Sequence, residues 1–164
     1  MKRKIRQFLN EPLQAQIRDV QTQLRQAKED NVATKLVTGA VLAKLAKGAK
    51  SLREAEFKVF SQFGDDGIIQ YLISRVKPRV DTFIEFGVED YEEANTRFLL
   101  LNDNWKGLII DGSSFFIDAI KASSFFWRYS LKAIASFVTA ENINQLLLSS
   151  GLTGQIGLLS IDVD

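Results

Sequence analysis

Two short segments constrain this chain more than any others: Phe83-Ile84-Glu85-Phe86-Gly87 and Gly107-Leu108-Ile109-Ile110-Asp111-Gly112. Each is an apolar run that ends on an acidic residue and a glycine. Runs of four to six apolar residues bounded by glycine read as buried strands, and a strand that ends on an acid and a tight turn is how many α/β folds present a nucleotide-type ligand site. A third run, Ile156-Gly157-Leu158-Leu159-Ser160-Ile161-Asp162-Val163-Asp164, ends the same way. A doubly wound sheet would be about half built at that point, so an incomplete domain is expected.

The pattern between these runs supports a parallel sheet with crossover helices. The spacing predicts helices around Asp66–Val76, Glu93–Leu101, Phe115–Ala122 and Ala140–Ser149, the last capped by Thr139 and closed by Gly151. Strands are predicted at Thr82–Phe86, Gly107–Asp111, Lys132–Val138 and Ile156–Val163. Right-handed crossovers and a switch point after the first strand order them 3-2-1-4, with ligand at their C-terminal ends.

The first 50 residues differ in kind. They hold 11 Lys and Arg against 4 Asp and Glu, a net +7, whereas residues 51–164 hold 10 against 16, a net −6. The chain thus divides into a basic helical extension, 1–50, and an α/β domain, 51–164. Leu13, Ile17, Val20, Leu24 and Ala27 alternate steps of four and three, which places them on one stripe of a helix. Pro12 suits the first turn of that helix, after Asn10 as its cap. The stripe serves a partner helix, a coiled coil with another copy of the chain included, or packing on the α/β domain. A second helix is expected over Val32–Lys47, with its lysines either solvated or facing an anionic surface, and residues 48–51 as a linker.

Composition removes several chemistries. There is no Cys and no His, so thiolate or imidazole metal sites, cysteine nucleophiles and a Ser-His-Asp relay are excluded. Any general base is a carboxylate, Lys or Tyr. No signal-sequence core follows the basic start, and no window approaches the ~18 apolar residues of a membrane span. A cytoplasmic location is the default expectation. The +7 arm lacks the aromatic and basic interleaving of nucleic-acid binders, so no nucleic-acid partner is expected.

The turn after Gly87 narrows the ligand. A dinucleotide needs further glycines there, but the chain supplies Glu89, Asp90, Glu92 and Glu93, which would repel a pyrophosphate. A cationic ligand such as S-adenosylmethionine is compatible. Asp111, 24 residues after Gly87, stands where a carboxylate accepts ribose hydroxyls or, alternatively, caps the next helix. Glu85 between Ile84 and Phe86 needs a polar partner once buried.

Taken together, Ser61-Gln62-Phe63-Gly64-Asp65-Asp66-Gly67, the Glu85-Phe86-Gly87 junction, Asn95-Thr96-Arg97-Phe98, Trp105-Lys106-Gly107, Thr139-Ala140-Glu141-Asn142 and Leu158-Leu159-Ser160-Ile161-Asp162-Val163-Asp164 resemble FkbM-like S-adenosylmethionine-dependent methyltransferases. The resemblance covers about residues 57–164. It implies a Rossmann-like methyltransferase fold and S-adenosyl-L-methionine as cofactor, with Glu85 and Gly87 at its methionine end and Asp111 at its ribose. It also implies that Gln62, Asp66, Asn95 and Thr96 lie near the pocket. The acidic stretch 89–93 departs from the glycines usual in that family, and the family continues past the fourth strand, so activity of this chain alone is in question. Methyl transfer to a hydroxyl acceptor, a small metabolite or glycan, would use Asp162 or Asp164 as proton acceptor or as holder of a divalent ion, although no metal site is indicated. Two other readings remain open: Asp162-Val163-Asp164 as the Asp-x-Asp pattern of a nucleotide-sugar glycosyltransferase, and a non-catalytic interaction protein working through its helical arm.

Overall fold

The computed structural model describes residues 2–152 and 154–162, with side chains from residue 11 onward. Val163 and Asp164, and with them half of the Asp-x-Asp pattern, lie outside the described residues. The chain resolves into two units, Met1–Val37 and Thr38–Asp164.

The first unit is helical throughout its described length. In place of two helices there is one, α1, Lys2–Ala46, whose last residues belong to the second unit. The reason is that Lys28-Glu29-Asp30-Asn31 contains no glycine or proline to end it. Pro12 falls inside the helix and not in its first turn, where its ring removes one main-chain hydrogen bond. Thr22 and Thr34 return their hydroxyls to the carbonyls of Arg18 and Asp30, at 2.8 and 2.9 Å, so neither competes with the helix.

The second unit begins with the end of α1, where Gly39, Ala43 and Ala46 are buried. Their small size permits close approach: a side chain at Gly39 would stand 2.6 Å from Val59 and 2.7 Å from Phe98. The expected linker is followed at once by a single turn, α2, Leu52–Ala55. The Ser51 hydroxyl accepts from the Glu54 N–H while the Glu54 carboxylate accepts from the Lys50 N–H, a variant of the capping box.

The remaining elements are α3 (Asp65–Val76), β1 (Thr82–Phe86), α4 (Arg97–Asp103), β2 (Lys106–Asp111), α5 (Ser114–Ala122), β3 (Leu131–Ala135), α6 (Ile143–Ser149) and β4 (Leu158–Ile161). The sheet is entirely parallel in the order β3-β2-β1-β4, the order expected for a switch point after the first strand. Period-two alternation divides its side chains between two cores. Phe83, Ile109, Leu131 and Ala133 meet Ile117 and Ile120 of α5, Leu99 and Leu100 of α4, and Ile69 and Ile73 of α3 on one face. Ile84, Phe86, Leu108 and Ile110 meet Ile143, Leu146 and Leu147 of α6 on the other. Burial on both faces is why β1 and β2 read as continuous apolar runs, whereas β3 leaves Lys132 and Ala135 exposed and β4 leaves Leu159 and Ile161 exposed.

Several boundaries differ from expectation, β4 among them, which spans Leu158–Ile161 and not Ile156–Val163. The helix predicted from Glu93 starts at Arg97, because residues 87–96 form a loop whose last two N–H groups are captured by a buried carboxylate, described below. Asn142, not Thr139, caps α6; the Thr139 N–H instead donates to the Asn142 carboxamide at 2.8 Å, closing a turn before the helix. β3 ends at Ala135, which leaves Ser136, Phe137 and Val138 in the loop beyond it.

Candidate functional site

All four strands point their C-terminal ends at one region, and the loops leaving β1, β2 and β3 enclose a cavity of about 740 Å³ there. Its lining includes Phe86, Gly87, Val88 and Glu89 after β1, Asp111, Gly112 and Ser113 after β2, and Ser136, Phe137 and Val138 after β3. Gln62, Glu93, Asn95, Ile110, Phe116 and Asp162 complete the described wall. Of the expected site residues, Gln62, Gly87, Asn95, Asp111 and Asp162 line the cavity. Asp66, Glu85 and Thr96 stand behind that lining, fully buried.

The loop after β1 has an unusual backbone. Gly87, Glu89 and Tyr91 have φ of 75°, 47° and 61°, so every second residue is left-handed, and two of the three are not glycine. Alternation of this kind turns successive N–H groups toward a common point and makes an anion-binding concavity. Here the anion is internal. Asp111 Oδ2 accepts from the N–H groups of Val88 and Glu89 at 3.0 and 2.9 Å, while its Oδ1 accepts from the Ser113 N–H at 2.8 Å. Asp111 therefore joins the ends of β1 and β2 and is still part of the cavity wall, and Oδ1 keeps a second lone pair for a ligand hydroxyl. Of the two readings of Asp111, the helix cap falls to Ser113, the N-cap of α5, to whose N–H Asp111 is bonded.

Glu85 organises the layer beneath. Its side chain is 1% exposed, and its carboxylate accepts from the Asn95 N–H at 3.0 Å, the Thr96 N–H at 3.1 Å, the Thr96 hydroxyl at 2.6 Å and the Ser160 hydroxyl at 3.0 Å. Ser160 is its register partner on β4. The polar partner that burial demands is thus fourfold, and one side chain ties β1, β4 and the start of α4 together. Burial pushes the Glu85 carboxyl above the ordinary glutamate value, against the hydrogen bonds from Thr96, Ser160 and Asn95 that favour the ionised form. Tyr91, also fully buried, shares a 3.1 Å hydrogen bond with Thr96. Burial first, and the Glu85 charge second, push its phenol far up, so Tyr91 is removed from the candidate bases. The Tyr91 carbonyl accepts from Arg97 Nη1 at 2.7 Å, and the buried guanidinium lies 4.7 and 5.5 Å from the rings of Phe60 and Phe125. Burial lowers the Arg97 pKa, while the neighbouring carboxylates, Glu92 foremost, oppose that shift.

Asp66, in the first turn of α3, does comparable work. Its Oδ2 accepts from the N–H groups of Val59, Phe60 and Ser61 and from the Ser61 hydroxyl, all within 2.7–2.8 Å. That pins the segment leading to Gln62. Lys58 then bridges the Gln62 carbonyl at 2.9 Å and Glu93 at 2.6 Å, clamping two parts of the rim.

The chemistry of the wall is one-sided. Its charged members are Glu89, Glu93, Asp111 and Asp162, and no Lys or Arg is among the described lining residues. Phe86, Phe116 and Phe137 add flat apolar surface; Phe137 crosses Gly112, where a side chain would stand 2.6 Å from its ring. Among the described residues no cluster of three or more Asp or Glu could hold a metal ion. Asp162 is exposed, and its N–H extends the ladder to the Phe86 carbonyl at 3.0 Å. Ser113, Phe116, Ser136 and Phe137 were missed in the sequence, where their only signal is that they follow strands. Comparison of the chain with protein-family models, with curated proteins and with solved structures yields no significant match.

Proposed function

We propose that the cavity binds the cationic cofactor S-adenosylmethionine and that the α/β unit is a Rossmann-like methyltransferase domain acting on a hydroxyl acceptor, a small metabolite or a glycan. The observation that carries this reading is the Asp111 carboxylate seated in the backbone concavity after β1. It occupies the two N–H groups a phosphate would need, and it lies among three further acids with no cation on the described wall. A nucleotide phosphate is disfavoured there, whereas a sulfonium or ammonium beside carboxylates is favoured. The remaining features are consistent: Asp111 Oδ1 for a ribose hydroxyl, Phe116 and Phe137 for a flat base, and Asn95 and Gln62 as neutral polar groups for the amino-acid end. When bound, the cofactor supplies an electrophilic methyl group. The chain's own part is to position the acceptor and to take its proton, for which Asp162 is the described candidate.

The test is thermal stabilisation of the purified chain by S-adenosylmethionine and S-adenosylhomocysteine, beside ATP and NAD. Ligand at 100 times Kd should stabilise by about 2.7 kcal/mol, moving the midpoint by roughly 5–10 °C. Glu89→Gln should weaken S-adenosylmethionine binding several-fold, more at low than at high salt, because Glu89 borders the cavity, whereas Glu93 is already paired with Lys58. Stabilisation by ATP or NAD and none by the adenosyl sulfonium would end this proposal.

A further inference from the structure

We propose that the first unit is a docking surface for a second copy of this chain, through a parallel, in-register two-stranded coiled coil along α1. Within that unit every residue from Glu11 to Asn31 is exposed, and Leu13, Ile17, Val20 and Leu24 are between 48% and 61% exposed. A helix with no buried face is marginal in water, because helical stability in proteins comes mostly from packing an apolar stripe. Among the described residues of that unit, nothing covers the stripe.

Its spacing identifies the cover. Steps of four and three run without interruption through Leu13, Ile17, Val20, Leu24, Ala27, Asn31 and Thr34, three heptads in one helix. Ile17, Leu24 and Asn31 take the a positions, and Leu13, Val20, Ala27 and Thr34 the d positions. The Thr34 hydroxyl is already satisfied by the Asp30 carbonyl at 2.9 Å, so it adds no unmet polar demand to the seam. Asn31 selects the arrangement. In a parallel, in-register pair it meets its own copy and the two carboxamides hydrogen-bond, whereas an antiparallel pair sets it against a d position of the other strand.

The flanking positions agree. In the parallel pair Gln16 faces the partner's Gln21, Gln23 faces the partner's Lys28, and Asp30 faces the partner's Lys35. No like charges are opposed over these heptads, and the Asp30 pair is complementary.

The test uses the full chain in sedimentation equilibrium. A dimer at micromolar concentration that dissociates on dilution is expected, and Ile17→Glu with Leu24→Glu should raise its dissociation constant by on the order of 100-fold. The near-ultraviolet dichroism of Trp105 and Trp127 should be unchanged in that variant, which separates loss of pairing from loss of the α/β unit. Because the chain has no cysteine, Leu13→Cys can form a disulfide only with another copy of itself. Parallel strands bring the two thiols together, while antiparallel strands centred on the seam hold them about 30 Å apart. Rapid oxidation to a covalent dimer supports the proposal. A chain monomeric at all concentrations, a dimer untouched by the two glutamates, a dimer that fails to cross-link, or a monomer that binds only anionic vesicles would each overturn it.

Discussion

Alanine in place of Glu85 is expected to lower the stability of the α/β unit by about 3–5 kcal/mol, a fall in midpoint on the order of 10 °C. Four donors converge on that carboxylate. The Thr96 hydroxyl can turn to Tyr91, with which it already shares a hydrogen bond, but the N–H groups of Asn95 and Thr96 are fixed by the chain and would be left without an acceptor. Each such buried group costs about 1–3 kcal/mol, more than is regained by removing a desolvated carboxylate whose hydrogen bonds are all made. Glutamine should cost less, about 1–3 kcal/mol, because it keeps one acceptor and turns an amide toward the other donors.

The same pair of proteins has a pH signature. The folded-state pKa of Glu85 is raised, so its contribution to stability is fully present below the unfolded value and is lost as pH rises through the folded value. The stability difference between wild type and Glu85→Gln should therefore be greatest in acid and shrink toward neutral pH. Denaturant titrations of both proteins across that range measure it directly. A difference that is flat, or that grows with pH, would mean that Glu85 is not a desolvated, titrating group in the native state.

Gly67→Ala is expected to be comparably damaging, by about 3 kcal/mol or more. A methyl group there would stand 2.0 Å from the Ala55 carbonyl oxygen and 2.5 Å from the Phe57 nitrogen. Both obstacles are main chain, so relief requires moving α3 by more than an ångström. Such a shift would also strain the 3.1 Å hydrogen bond from the Gly67 N–H to the Phe57 carbonyl and displace the adjacent Asp66 from the three N–H groups it holds. Gly48→Ala, whose nearest obstacle is 3.4 Å away, is the control and should change stability by less than about 1 kcal/mol. Equal denaturation midpoints for the two variants would show that α3 and the 55–57 segment are not rigidly apposed. If Gly67→Ala folds at low temperature, it should also weaken ligand binding, because the segment it loosens carries Gln62 to the cavity.

β1 and β2 were legible because burial on both faces leaves a one-dimensional mark, an apolar run, and handedness reduces the topologies to few. Gly87 and Asp111 could be placed for the same reason, since they end such runs. The capture of Asn95 and Thr96 by Glu85 could not be read. It joins residues ten and eleven positions apart through a loop whose left-handed residues, Glu89 and Tyr91, are types that rarely adopt that conformation. No periodicity announces it, and the acidic run 89–93 reads equally well as a helix start, which is how α4 came to be expected four residues early. Ser160 was in plain view, but its importance depends on the register that sets it beside Glu85. Arg97 lacked any signal: a cation amid Thr96, Phe98 and Leu99 reads as the exposed face of a helix, and it is the rings of Phe60 and Phe125 that make its burial tolerable.

The arrangement at Asp111 has a consequence for how selectivity could change over time. Two main-chain donors with the geometry of an oxyanion cradle persist beneath a single side chain, stoppered by its oxygen. Shortening that side chain would free the two donors, yet Glu89, Glu93 and Asp162 on the same wall would still oppose a phosphate, so a reversal of charge preference requires changes to the wall as well as to the stopper.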